Sequence, residues 1–314
     1  MDEKIKRITD INKFIENLRV YGYEKYCTFL YYPNYKGKEN VDIKKTVKLN
    51  DIKCKDDDNN KPRIDNNVIF LGLNAATRYK TTEKEFQTMH DISNLSNDYK
   101  IAQLLYDYDN QNIQNSKFKL SGSFAFDLLS DVITTNLFNI NSIVKRLDNN
   151  KENIKIRDKY IDFKNLPKIS YSRLSRLHDQ IRLKKDNLVI KYENLNRKNN
   201  KTNKNDIDNY INTIKYMESE ERKMKSGLLN RLYKHIVKYD LPYFNALIKT
   251  LSYDNKNKRK IIICFGSKTY KLASIFADIC ELTSDLMIVK ITHYSAAKSR
   301  NKRLENLNDK LNKK

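Results

Sequence analysis

VIFLGLNAATR, residues Val68 to Arg78, decides how the rest of the chain is read. It opens on Val and Ile, stays apolar up to a Gly-Leu pair, and breaks into a polar loop at Asn74. Short apolar runs rich in Val and Ile and bounded by Gly, Asn or Ser read as strands buried on both faces. Three more runs of this kind follow: DVITTNLFNINS (Asp131–Ser142), RKIIICFGSKTY (Arg259–Tyr270) and LMIVKITHYSAAKSR (Leu286–Arg300). Strands buried on both faces belong to parallel sheets covered by helices, and ligands of such sheets sit outside the carboxyl ends of the strands. Asn74, Asn136, Gly266 and His293 stand at or just past the ends of the four runs. One edge of one sheet is therefore expected to collect them.

The implied fold is α/β, with three layers: a central four-stranded, mostly parallel sheet between helices. At 314 residues the chain can bury such a core and still carry one sizeable insertion. Residues 1–66 read as a helical lead-in, because Ile5, Ile8, Ile11, Phe14, Ile15 and Leu18 recur at three- and four-residue steps. A tyrosine-rich segment, YEKYCTFLYYPNY, follows them. Residues 67–314 form the α/β domain, interrupted over 147–257 by a segment rich in Lys and Asn. There, Leu174, Leu177, Ile181 and Leu188, then Ile207, Ile211, Ile214 and Met217, mark two long helices. The polar linker NRKNNKTNKND (Asn196–Asp206) joins them into an αα-hairpin. A helix carrying Ile101, Leu104 and Leu105 is predicted after the first strand. A last one, with Leu304, Leu307 and Leu311 inward, is predicted at the C-terminus.

The formal charge is +22, from 61 Lys and Arg against 39 Asp and Glu. Such an excess attracts polyanions, of which nucleic acid is the commonest. The same lysines and asparagines also follow A/T-rich codon usage, so charge by itself leaves the partner open. The hairpin's basic surface can be read as a nucleic-acid or protein-partner surface, or as a solvated scaffold. Cys27, Cys54, Cys264 and Cys280 form no CxxC pair, and the four histidines lack metal-ligand spacing. No metal and no cofactor is expected. No run approaches the roughly 18 apolar residues of a membrane span, and MDEKIKR is not followed by an apolar stretch. The expectation is a reduced, cytoplasmic protein with no membrane contact.

Taken in order, FLGLNAATR, MHDISNLSNDYKI (Met89–Ile101), TTNLF, CFGSKTY and ITHYSAAKSRN resemble the uracil-DNA glycosylase superfamily, in particular its bacterial and phage uracil-DNA glycosylase-like proteins. The resemblance covers about 67–142 and 243–310. It implies a monofunctional DNA glycosylase acting on single-stranded or duplex DNA. By that resemblance Asn74 positions the attacking water and His293 donates to the oxygen of the departing base. Asn136 reads the base edge, for which an amide offers a donor and an acceptor together. Gly72, Leu73 and His90 line the base pocket, while Arg78, Ser295, Lys298 and Arg300 hold DNA phosphates.

The chain departs from the better-known glycosylases at two places. Its first motif continues Asn74-Ala75-Ala76, with no proline, and Ala296-Ala297 follow the histidine where an apolar wedge often sits. Enzymes that act on a base must extrude it from a duplex, so these alanines favour single-stranded substrate or a wedge from elsewhere, such as the loop carrying Tyr79. Phe86, Phe124 and Phe126 are candidates for stacking on the base, or else core residues. Two alternatives stay open beside the uracil glycosylase. One is a glycosylase-fold module that binds or senses nucleic acid without cutting it. The other is a defence enzyme acting on hypermodified phage bases.

Overall fold

The computed structural model describes residues 11–20, 22–25, 27–32, 55–56, 61–62, 65–74, 95–111, 119–129, 140–156, 171–197, 204–252, 259–293 and 299–312. Seven strands are described: β1 (Cys27–Leu30), β2 (Lys55–Asp56), β3 (Lys61–Pro62), β4 (Asp65–Asn74), β5 (Ser123–Leu129), β6 (Lys260–Phe265) and β7 (Leu286–Ile291). Five of them make one sheet in the order β1-β5-β4-β6-β7, and β2 pairs with β3 separately. β5, β4, β6 and β7 run parallel, whereas β1 is an antiparallel edge on β5. An antiparallel edge on a parallel sheet is a common arrangement. The expected four-stranded sheet thus has a fifth strand, drawn from the tyrosine-rich part of residues 1–66.

Among the described residues there are eight α-helices: α1 (Ile11–Val20), α2 (Leu95–Gln111), α3 (Ile140–Asn150), α4 (Tyr171–Arg197), α5 (Lys204–His235), α6 (Leu241–Ser252), α7 (Ser267–Ile279) and α8 (Arg300–Asn312). Alternation along the strands divides the core in two. Ile69 and Leu71 of β4 join α1, α3, α6 and α7 in one cluster. Val68 and Phe70 join α2 and α8 in the other. The chain therefore has a helical layer on each face of a five-stranded, mostly parallel sheet.

From β4 the chain moves outward to β5, and from β6 it moves outward the other way to β7. The two crossovers step in opposite directions, so crossovers of one hand must lie on opposite faces. Their helices, α2 and α7, do so. The topological switch point is consequently the gap between the carboxyl ends of β4 and β6, where open α/β sheets bind ligands.

Three of the four predicted strand runs contain strands of the sheet, and the fourth is corrected. The second parallel strand is SFAFDLL, Ser123–Leu129, upstream of the expected run; Ile140–Ser142 open α3 instead, and 131–139 lie outside the described residues. Phe124 and Phe126 are what hold this strand in place. Both are fully buried, with Phe124 edge-on to Phe29 at 5.3 Å and Phe126 edge-on to Tyr243 at 6.1 Å. They are core residues and not available to stack on a ligand.

α4 and α5 form the predicted hairpin, joined by Lys185 and Glu221 at 2.7 Å. α5 passes through a single π-helical turn, Ile236–Asp240, directly into α6. Pro242 explains the turn, since its ring lacks an N–H and crowds the carbonyl one turn back, and a widened turn relieves both. The lower end of this long element is core: Leu228, Leu232, Ile236, Phe244 and Leu247 are all buried against the sheet. Among the described residues of 147–257, α4 and the part of α5 before Met224 belong to neither core cluster.

Candidate active site

The switch point is built from the β6 side by one glycine. Gly266 follows β6 and precedes α7 with φ 90° and ψ 171°, a conformation that only glycine adopts without strain. Space is not the reason, because a Cβ there would lie 3.7 Å from the Cβ of His293, an ordinary contact. The Gly266 N–H donates to the carbonyl of Ile291 at 2.9 Å, tying the end of β6 to the end of β7. The Thr269 hydroxyl donates to the Phe265 carbonyl at 2.8 Å and fixes the first turn of α7. Strand, glycine and helix thus follow with no intervening loop, and the N-terminal turn of α7 stands at the carboxyl edge.

His293 reaches this edge from β7. The N–H of its neighbour Thr292 donates to Oδ1 of Asn306 on α8 at 3.0 Å, which anchors the residue leading into it. Its imidazole is exposed and lies edge-on to Phe265, with ring centroids 6.2 Å apart. Phe265 in turn stacks on Phe70 of β4 at 5.5 Å. A continuous aromatic contact therefore connects β4, β6 and His293.

On the other side of β6, β4 ends at Asn74, whose Cα partner on β5 is Leu129. Gly72 is buried, and Leu73 is half-buried against the cluster that includes α7. Asn74 and His293 are thus brought to one edge of the sheet, with the end of β6 between them. Asn136, His90, Arg78, Ser295 and Lys298 lie outside the described residues, as do Phe86 and Tyr79.

Arg300 is described, and its charge is already engaged. It opens α8, and its guanidinium grips the carboxylate of buried Asp107 on α2 with both nitrogens, Nε to Oδ2 at 2.7 Å and NH2 to Oδ1. A two-pronged pair of this kind is geometrically specific. Arg300 ties α8 to α2, so the expected phosphate contact would have to share that pair.

The residue that sequence reading passed over is Asp127 on β5. Its Cα partner is Gly72, two residues before Asn74. Burial pushes its carboxyl up to about 7, the direction that desolvation gives any carboxylate. A lone acid inside the apolar run SFAFDLL was the available signal, and it was missed because that run was not read as a strand. Elsewhere, Cys27, Cys264 and Cys280 are buried thiols pushed up by desolvation, which makes them inert.

Among the described residues no group of three His, Cys, Asp or Glu side chains is placed to hold a metal ion. No described helix is long and apolar enough to cross a membrane. No protein-family model matches the chain, and neither a curated protein nor a solved structure matches it.

Proposed function

We propose that the protein is a DNA glycosylase that hydrolyses the N-glycosidic bond of uracil or of a modified base. The observation that supports this reading is that Asn74 ends β4 and His293 follows β7, so that both stand on the carboxyl edge of the sheet with β6 between them. The motif resemblance assigns their chemistry. Breaking the bond builds positive charge on the sugar and negative charge on the leaving base. The reaction therefore needs water aimed at the anomeric carbon and a donor aimed at the base oxygen. The Asn74 amide holds the water, and the bonding electrons leave with the base. His293 donates a hydrogen bond to the oxygen on which that charge grows. Asn136 contributes the base-edge contact. DNA phosphates beside the sugar offset its positive charge, and the basic chain favours DNA as the partner.

A second reading, a glycosylase-fold module that binds nucleic acid without cutting it, is favoured by the altered motifs: Asn74 is followed by Ala75-Ala76, and His293 by Tyr294, Ser295 and Ala296-Ala297. The two readings separate on one variant. Asn74→Ala should abolish base release from uracil-containing DNA while DNA binding, followed by fluorescence anisotropy, stays as in the wild type. Full activity in that variant would remove Asn74 from the mechanism. Absence of release in the wild type, with salt-dependent DNA binding retained, would favour the binding module.

A further inference from the structure

Charge along α5 is not spread evenly. From Lys204 to Glu221 the helix carries Asp206, Asp208, Glu218, Glu220 and Glu221 against Lys204 and Lys215. From Arg222 to Tyr239 the chain carries Arg222, Lys223, Lys225, Arg231, Lys234 and Lys238, and no acid. A codon bias toward lysine acts on both halves alike and does not sort them. The helix macrodipole does not sort them either. It acts within the last turn of a helix, and this stretch continues through the π-helical turn directly into α6.

The six cations are exposed, whereas Leu228, Leu232 and Ile236 of the same stretch are buried against the sheet. Lys223, Gly227, Arg231 and Lys234 follow at three- and four-residue steps and so share one outward face. Lys223 reaches Glu220 at 2.9 Å, across solvent-exposed surface. No acid lies within four residues of Arg231 or Lys234 in either direction, so neither has an ion-pair partner along the helix. α3 adds a further cation beside this face. Arg146 donates to Oδ1 of Asn230 and lies over the Tyr233 ring, 4.2 Å from its centroid, which fixes its guanidinium against α5.

Gly227 stands in the middle of the stripe. Glycine inside a helix is unfavourable relative to alanine, and nothing around it calls for one. A Cβ there would meet no atom within 4 Å. Its missing side chain leaves the helix backbone uncovered between Lys223 and Arg231, where another chain can approach closely.

We propose that this face of α5 is an interaction surface for nucleic acid, with the sugar–phosphate backbone laid over Gly227 and held by Arg146, Arg231 and Lys234. Phosphates complement the face in charge, and contacts of this kind fix a strand in place without reading its sequence. Such a surface needs no base release, so it can be absent while glycosylase activity holds, and the reverse.

The test is fluorescence anisotropy of a uracil-free, labelled single-stranded DNA of about 20 nucleotides, longer than a typical single-strand site. Affinity would be followed from about 50 to about 200 mM salt, where phosphate contacts dominate the change. Arg231→Gln with Lys234→Gln should weaken binding about tenfold at the low-salt end and lower the log–log salt slope by about 1.4, roughly 0.7 for each contact to a single strand. Lys184→Gln, on the other helix of the hairpin, should leave both unchanged. Gly227→Leu should also bind about tenfold more weakly although it unfolds at a higher temperature, because leucine is the better helix former. A double variant with the wild-type affinity and slope would overturn the proposal, as would a wild type that does not bind this DNA. Polyglutamate displacing the DNA as well as unlabelled DNA does at equal charge would assign the face to an acidic protein and overturn it too.

Discussion

Lys185 and Glu221 meet at 2.7 Å in the α4–α5 hairpin with about a fifth of each side chain still exposed, while Asp127 lies within the sheet and is pushed toward neutrality by burial. The hairpin also leaves Leu183, Ile190 and Tyr216 more than half exposed, whereas β6 is buried along its whole length. Charge in the first region is solvated and paired, and many substitutions there should be nearly silent. In the second region a few polar groups are held where water is scarce, so each should carry a measurable consequence. The contrast separates a solvated hairpin surface from the buried interior of the sheet.

The largest break in that contrast should come from His293→Ala. Removing a donor to developing charge costs about 10²–10³ in rate, so base release should fall by that factor, whereas Lys184→Ala on the hairpin should leave the rate at saturating DNA unchanged. Equal losses in both variants would erase the distinction.

Next in size is a buried histidine at the foot of the hairpin. His235 is lowered to about 4 by burial, and Asp240, 3.8 Å away, lies beyond hydrogen-bond reach. Its folded value lies below its ordinary value of 6.5, so the unfolded chain binds more protons between those limits. Stability is then fully present above about pH 6.5 and is lost as pH falls toward 4, by up to about 3 kcal/mol. Denaturant titrations should show His235→Gln without this acid-side loss; an unchanged slope would locate the effect elsewhere.

Smaller effects sharpen the comparison further. Gly266→Ala should cost on the order of 1–3 kcal/mol, because its backbone conformation is strained for any other residue. Asp127 works in the opposite sense to a paired carboxylate. Its folded value is raised, so the folded state is progressively penalised as pH rises from about 4 to about 7. Asp127→Asn should accordingly be more stable than the wild type at pH 8, by about 1–2 kcal/mol once partial solvation is allowed for. A double-mutant cycle on Lys185 and Glu221 should return only about 0.2–1 kcal/mol.

Much of this architecture was legible in the sequence for identifiable reasons. β4 and β6 are apolar and buried over Val68–Leu71 and Ile261–Phe265, which produces unbroken runs ending in Gly or Asn, and β7, at the sheet edge, keeps Ile and Val around one exposed Lys. α8 and the hairpin declared themselves through helical spacing of Leu and Ile. β1 and β5 did not. β1 is four residues long, and its tyrosine-rich surroundings mask it. β5 uses two phenylalanines where a β-branched pair would have signalled a strand, and it carries an acid in its interior. Losing β5 also hid Asp127, because only the register with Gly72 brings that carboxyl to the edge where β4 ends. His293 and Asn74, by contrast, were readable as strand-end residues before any tertiary contact was known.

The most direct test of the central claim is detection of free bases by mass spectrometry. Purified protein would be incubated with uracil-containing single-stranded and duplex DNA and with modified phage DNA. The account predicts a free base, released by the wild type and absent with Asn74→Ala. DNA that is bound but yields no base from any of these substrates would contradict it.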